Sequence, residues 1–225
     1  MNTVNKTSRV LGFAFLLQFV TSFTSGVFLK QTWFVPGDMS GTLVKIANNP
    51  ALMRTSILLD MLTALGVIFL GAILFTTLRK QNEKIALSAL GFYILEGALL
   101  AASKLDAFSL LRISQDYTVA ANPALLTMGQ VALESMDFVG STLHMLVFCF
   151  GGILFYYLLN KSGLVPRILS LWGLITVIPI LIATVSEILG YQLPFVVYVP
   201  YLPFELVIAI WILIKGIKDV PELKQ

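Results

Sequence analysis

Apolar residues in this chain fall into six long blocks that are separated by shorter polar segments. Each block is roughly 18–23 residues long, the length that an α-helix needs to cross the hydrocarbon core of a bilayer. The pattern therefore predicts an all-α, polytopic membrane protein with six transmembrane helices. We expect a single domain, 1–225, with spans at 10–29, 56–78, 85–102, 138–159, 168–190 and 197–217.

Two Asn-Pro pairs predict where helices begin outside the apolar blocks. Asn is a favourable N-cap and Pro suits the first helical position, so helices should start at Pro50 and Pro123. The second and fourth helices would then begin about a turn or more before their apolar spans. Residues 40–48 have the pattern of a short amphipathic helix, with Leu43, Val44 and Ile46 on one side.

Composition narrows the class of protein further. Hydrophobic residues make up 57% of the chain and charged residues 12%, about half the 25% of a typical soluble domain. A single cysteine, Cys149, and a single histidine, His144, exclude an intramolecular disulfide and the usual Cys/His zinc sites. The net charge of +3 and the lack of a basic stripe predict no nucleic-acid partner.

The distribution of basic residues predicts an orientation in the membrane. With the N-terminus inside, ten of the 15 Lys and Arg residues fall in the inner segments. They are Lys6, Arg9, Arg79, Lys80, Lys84, Lys161, Arg167, Lys215, Lys218 and Lys224. Because short cytoplasmic loops carry an excess of basic residues, we expect both the N- and C-termini to be cytoplasmic.

Polar residues within the helices mark the candidate chemistry. In the fourth helix, four of them recur at i, i+3, i+7 and i+10, a spacing that predicts one shared face: Glu134, Asp137, Ser141 and His144. Other helices contribute one carboxyl group each: Asp60, Glu96, Glu187 and Glu205. An ionised carboxylate facing lipid is costly, so such groups usually face the bundle interior, water or a partner. We therefore predict an outward-facing acidic cavity lined by helices two to six.

Several segments of the chain resemble a known family. They are 156–167 (YYLLNKSGLVPR), 169–175 (LSLWGLI), 203–206 (PFEL) and 209–216 (AIWILIKG), and the opening RVLGF at 9–13 and the His144 helix fit the same pattern. These stretches are similar to an uncharacterised bacterial integral membrane family, domain of unknown function 4386. The resemblance implies a small multi-pass protein of a bacterial cytoplasmic membrane. It also implies that Glu205 and His144 belong to motif regions of the family, but it supplies no activity.

Three functions fit these patterns. The first is a membrane protein that handles a small solute, a proton or a cation, with Glu96 and His144 as binding sites. The second is a membrane-embedded, metal-dependent hydrolase with His144, Asp137 and Glu134 as ligands and Glu96 as an additional candidate, a set that suits manganese or zinc. The third is a non-catalytic subunit or sensor that works through a membrane protein partner. The sequence contains no hydrolase, P-loop or dinucleotide-binding motif, and this disfavours an enzyme. No cofactor is evident from the sequence. The lipid bilayer is the one partner that all three share.

Overall fold

The computed structural model describes residues 6–218, and the regular secondary structure of these residues is entirely helical. Lys224, counted above among the cytoplasmic basic residues, lies outside the described residues. The α-helices are α1 (Lys6–Phe23), α2 (Lys30–Trp33), α3 (Met39–Asn48), α4 (Pro50–Leu78), α5 (Glu83–Ala120), α6 (Pro123–Asp137), α7 (His144–Ser162), α8 (Arg167–Ile188) and α9 (Leu202–Lys215). Two π-helical segments, Thr24–Leu29 and Phe138–Leu143, and one 3₁₀ turn, Phe195–Val197, complete the set.

Six helical stretches of the described chain are long and apolar enough to cross a membrane, and this confirms the predicted class. They are Lys6–Trp33, Pro50–Leu78, Glu83–Ala120, Pro123–Ser162, Arg167–Ile188 and Phe195–Lys215. The protein is therefore an all-α, multi-pass membrane protein that contacts the lipid bilayer. The cytoplasmic placement of the termini stays a prediction.

The third helix is much longer than its apolar block. Helix α5 continues to Ala120 and has 38 residues, whereas the predicted span ended at 102. The extension carries charged residues, yet its buried positions recur at helical spacing: Ser103, Ala107, Leu110, Leu111 and Ser114. Burial of this stripe keeps the segment helical although its hydropathy is low.

The predicted helix starts are observed. The Asn122 side chain accepts a hydrogen bond from the backbone N–H of Ala124 at 2.9 Å, and Pro123 follows it as the first residue of α6. Helix α4 begins at Pro50. The amphipathic segment is α3, in which Leu43 and Ile46 are fully buried, but Val44 is exposed instead of sharing their side.

The sequence predicts one domain, and the contacts of the described chain group into two compact units. Unit 1 comprises residues 6–19, 66–96 and 145–218, and unit 2 comprises residues 20–65 and 97–144. Each unit has its own apolar core. That of unit 1 includes Leu74, Phe155 and Phe204, and that of unit 2 includes Trp33 and Leu110.

The segment before α9 is irregular. After the turn at Phe195–Val197 the chain continues as turns, and α9 starts at Leu202 rather than at 197. The Trp172 indole N–H donates a hydrogen bond to the Pro200 carbonyl at 3.0 Å. This contact fixes the chain just before Tyr201 and Glu205.

Candidate functional site

A chain of hydrogen-bonded side chains lies inside unit 1. The Tyr201 hydroxyl donates to Glu205 Oε1 at 3.0 Å, and the Tyr156 and Tyr201 hydroxyl oxygens are 2.5 Å apart. Gln18 Nε2 also donates to Glu205 Oε1, at 3.4 Å. Glu205 is 8% exposed and Tyr156 only 1%. The Glu205 carboxyl is therefore deeply buried, and it accepts hydrogen bonds from Tyr201 and from Gln18 of α1.

Local sequence explains how α9 presents this pair. Tyr201 is the residue that precedes α9, and Glu205 lies in the first turn of the helix. Residues four apart lie on the same face of a helix, so the phenol and the carboxyl group can meet. A carboxylate in the first turn is also favoured by the positive end of the helix dipole.

Glu96 is the second buried carboxyl group of unit 1. It is 3% exposed, and its Oε2 atom is buried with no hydrogen-bond partner in the described part of the chain. It is close enough to Glu205 for the two groups to interact electrostatically. Within the described residues neither carboxyl group takes part in an ion pair. Buried polar atoms are rarely left without partners, and the exceptions often mark functional sites.

Tyr93 interacts electrostatically with both carboxyl groups. It precedes Glu96 by three residues on α5, it is 2% exposed, and its side chain interacts with those of Tyr156 and Glu96. Two glycines make room for it: a Cβ added at Gly71 would lie 2.8 Å from the Tyr93 Cβ, and one at Gly151 would lie 2.7 Å from its ring. We call Tyr93, Glu96, Tyr156, Tyr201 and Glu205 the tyrosine–carboxyl cluster.

Unit 2 contains two ion pairs between helices. Lys104 Nζ lies 2.6 Å from Asp60 Oδ2, and Lys30 Nζ lies 2.6 Å from Asp137 Oδ1. His144 is half-buried, interacts electrostatically with Asp60 and Lys104, and has a buried Nδ1 atom without a hydrogen-bond partner in the described residues. The charges of Asp60 and Asp137 are therefore already balanced.

The structure does not bring Glu134, Asp137, Ser141 and His144 into one group. Glu134 is exposed and accepts a hydrogen bond from Gln130 at 2.7 Å, Asp137 pairs with Lys30, and Ser141 is exposed. The π-helical segment Phe138–Leu143 separates the first two residues from His144. Its i→i+5 hydrogen bonds enclose one more residue than those of an α-helix, so the predicted register does not continue through it.

Glu187 and the predicted metal ligands are the remaining candidates from the sequence. Glu187 is exposed near the end of α8 and interacts electrostatically with Tyr198. Among the described residues, no three His, Cys, Asp or Glu side chains are grouped so that they could hold a metal ion. Metal binding by His144, Asp137 and Glu134 therefore stays an untested prediction. In the structure these three side chains interact with different partners.

Sequence reasoning missed the tyrosines of the cluster and the two lysines of unit 2. Two spacings carried the information: Tyr93 and Glu96 are three residues apart on one helix, and Tyr201 and Glu205 are four apart. A carboxylate within an apolar helix needs a cationic partner, so Asp60 was a further signal in the sequence. Lys104 is that partner in the structure.

Comparison with known proteins agrees with the resemblance seen in the sequence. The family model of a domain of unknown function, DUF4386, matches residues 10–216. This chain belongs to the DUF4386 family. It matches no curated protein and no solved structure. The DUF4386 match includes the whole tyrosine–carboxyl cluster and His144, but it assigns no activity, so function has to be argued from the side chains themselves.

Proposed function

We propose that this DUF4386 protein handles a small cation, with the proton included in that class, at Glu96 and Glu205. The observation that carries the proposal is Glu96 Oε2, a buried carboxyl oxygen without a partner in the described residues, next to a second buried carboxyl group. Both residues lie in helical stretches apolar enough to span a membrane. Ionisable groups at such positions are functional hypotheses by default, because leaving them there is costly.

Electrostatics supports a cation as the ligand. Two ionised carboxyl groups close together in apolar surroundings repel each other, and a bound cation or proton removes that repulsion. In the described part of unit 1 no Lys, Arg or His forms an ion pair with Glu96 or Glu205, so neither charge is already balanced. Asp60 and Asp137 of unit 2 differ in this respect, because each has a lysine within 2.6 Å.

The two carboxyl groups have different roles in this proposal. Glu205 is fixed by the hydrogen bonds of Tyr201 and Gln18, so it is a rigid acceptor. Glu96 has a free oxygen, so it accepts the incoming cation. Our proposal keeps both termini on the cytoplasmic side of a cytoplasmic membrane. It also keeps the predicted outward-facing acidic cavity, and the exposed Glu187 of α8 adds negative charge to unit 1.

Flux through reconstituted vesicles tests the proposal. Purified protein in proteoliposomes is assayed for internal pH change and for uptake of Na⁺ and Rb⁺ under imposed gradients. We expect uptake in the wild type and a loss of at least about tenfold in Glu96→Gln and Glu205→Gln. Glu83→Gln is the matched control, because Glu83 is exposed in the first turn of α5. If no gradient drives uptake, or if the two variants match the wild type, the proposal is wrong.

Neither alternative has an observation of this kind in its favour. The metal-dependent hydrolase needs His144, Asp137 and Glu134 to act together, and the structure engages them with different partners. The non-catalytic subunit or sensor accounts for a membrane protein of this size. It gives no reason for an unpartnered carboxyl oxygen beside a second carboxyl group.

A further inference from the structure

We propose that the cation is a proton and that Tyr93, Tyr156 and Tyr201 relay it between Glu96 and Glu205 by reversing their hydrogen bonds. This inference rests on the proposed function and names its ligand. It starts from the direction of the hydrogen bonds in the tyrosine–carboxyl cluster.

Each tyrosine hydroxyl has one hydrogen to donate. Tyr201 gives its hydrogen to Glu205 at 3.0 Å, so its oxygen is the acceptor in the 2.5 Å contact with Tyr156. Tyr156 is then the donor of that contact, and its oxygen can accept from Tyr93, with which it interacts. All the donors therefore point towards Glu205, and the chain begins at Tyr93, three residues before Glu96.

A proton transfer from Glu96 to Glu205 follows these donors along the whole chain. A proton that leaves the Glu96 carboxyl enters the Tyr93 oxygen, while Tyr93 passes its hydrogen to Tyr156, Tyr156 to Tyr201, and Tyr201 to Glu205. One O–H bond breaks and one forms at each hydroxyl, one proton moves in total, and no electrons are exchanged. The result is an ionised Glu96, a neutral Glu205 and hydroxyls that have each turned around. Oε2 of Glu96 has no partner to lose when it turns towards Tyr93.

The packing of the three tyrosine rings suits a relay in which the rings stay in place while their hydroxyl groups rotate. Tyr93 packs edge-on against Phe155 with ring centroids 4.9 Å apart, Tyr156 against Phe204 at 5.1 Å, and Tyr201 against Phe148 at 5.3 Å. These contacts and the close glycines hold the rings in place. The hydroxyl hydrogens can still change partners, because rotation about a phenol C–O bond moves no heavy atom.

A metal cation fits the cluster less well than a proton does. Hard cations take about six or more oxygen ligands. The cluster offers hydroxyl groups that already donate along the chain, and one carboxyl group that already accepts two hydrogen bonds. The other titratable group that faces Glu96 is Cys149, whose thiol is a weak hydrogen-bond donor. A proton uses the existing hydrogen bonds and needs no added ligands.

The test removes one hydroxyl from the middle of the chain. Tyr156→Phe keeps the ring and its packing and interrupts the relay. Tyr157→Phe is the control, because Tyr157 is the next residue on α7 and is 43% exposed. In proteoliposomes that enclose a pH-sensitive dye, we expect Tyr156→Phe to lower proton flux at least about tenfold and Tyr157→Phe to leave it unchanged. Tyr93→Phe and Tyr201→Phe should act in the same way, which keeps the test valid if one variant does not fold.

The outcomes separate this inference from the proposed function. Normal proton flux in the three cluster Tyr→Phe variants, with flux lost in Glu96→Gln and Glu205→Gln, overturns the relay and leaves the carboxyl site standing. Uptake of Na⁺ or Rb⁺ by a wild type that carries no proton also overturns the relay alone. Normal flux in all of these variants, or a wild type that carries no cation, overturns both.

Discussion

The Asp60 carboxylate and the Lys104 ammonium group are 2.6 Å apart, and their side chains are 17% and 11% exposed. The other ion pair of unit 2, Lys30–Asp137, has the same length, but its side chains are 29% and 39% exposed. The two ion pairs therefore have the same N–O distance but differ in how far their side chains are exposed to solvent. Removal of one partner from the more buried pair leaves a charge without water or a counter-ion, which is the larger penalty.

This difference predicts unequal costs for two matched substitutions. Asp60→Asn should lower stability by about 3 kcal/mol, the range for breaking a buried pair. Asp137→Asn should cost about 1 kcal/mol or less, as for an exposed pair. Thermal unfolding of both variants in mild detergent measures the difference. The double variant Asp60→Leu/Lys104→Met removes both charges and should recover most of the loss, and a further loss in that variant would contradict this account.

The two buried carboxyl groups of unit 1, Glu96 and Glu205, should respond in opposite ways to replacement by an apolar side chain. Glu96→Leu removes an unpartnered buried oxygen, so we expect stability to stay equal or rise by about 1 kcal/mol while cation handling is lost. Glu205→Leu leaves the Tyr201 hydroxyl and Gln18 without their acceptor, which should cost about 1–3 kcal/mol. Unfolding in detergent compares the two variants. Equal destabilisation would show that Glu96 has a hydrogen bond of similar value.

The glycines around Tyr93 give a third prediction. Gly71→Ala and Gly151→Ala would each place a methyl group within 2.8 Å of Tyr93, so each should cost about 1–3 kcal/mol. Gly91→Ala is the control. Gly91 is exposed within α5 and has no atom within 4 Å of an added Cβ, so alanine there should stabilise the helix by about 0.5–1 kcal/mol. The same order should appear in the melting temperatures.

A fourth prediction concerns the link between α5 and α6. Ala121 follows the last residue of α5 with a φ of 46°, in the left-handed region that favours glycine. Its backbone N–H donates to the Tyr117 carbonyl at 2.8 Å and so ends the helix. Ala121→Gly should therefore stabilise the protein by about 1 kcal/mol. A decrease in melting temperature would mean that the cost of this conformation is smaller than the added freedom of glycine in the unfolded chain.

The membrane spans and some helix starts could be predicted from the sequence because both depend on local signals. Apolar length identifies a span, and Asn122-Pro123 provides both a cap and a suitable first residue. The end of α5 was missed because Lys104, Asp106, Arg112 and Asp116 lower the hydropathy of residues 103–120. The buried stripe that keeps this segment helical has a period of 3.6 residues, which an average over a window does not detect.

The site was harder to predict, because it depends on contacts between distant parts of the chain. Glu96 and Glu205 were each identifiable as carboxyl groups within apolar helices, but their proximity follows from packing alone. The array at Glu134, Asp137, Ser141 and His144 assumed an unbroken α-helix. The π-helical turn at Phe138–Leu143 has no composition that distinguishes it from α-helix, so the change of register was not visible in the residues.

The order of residues in unit 1 has a consequence for biosynthesis. The unit combines 6–19 and 66–96 with 145–218, whereas unit 2 ends at His144. A chain that emerges from the ribosome N-terminus first has all of unit 2 available long before Tyr201 and Glu205 exist. During that interval Tyr93 and Glu96 are already synthesised, whereas Tyr201 and Glu205 are not. The tyrosine–carboxyl cluster can therefore be complete only after the last helix has been synthesised.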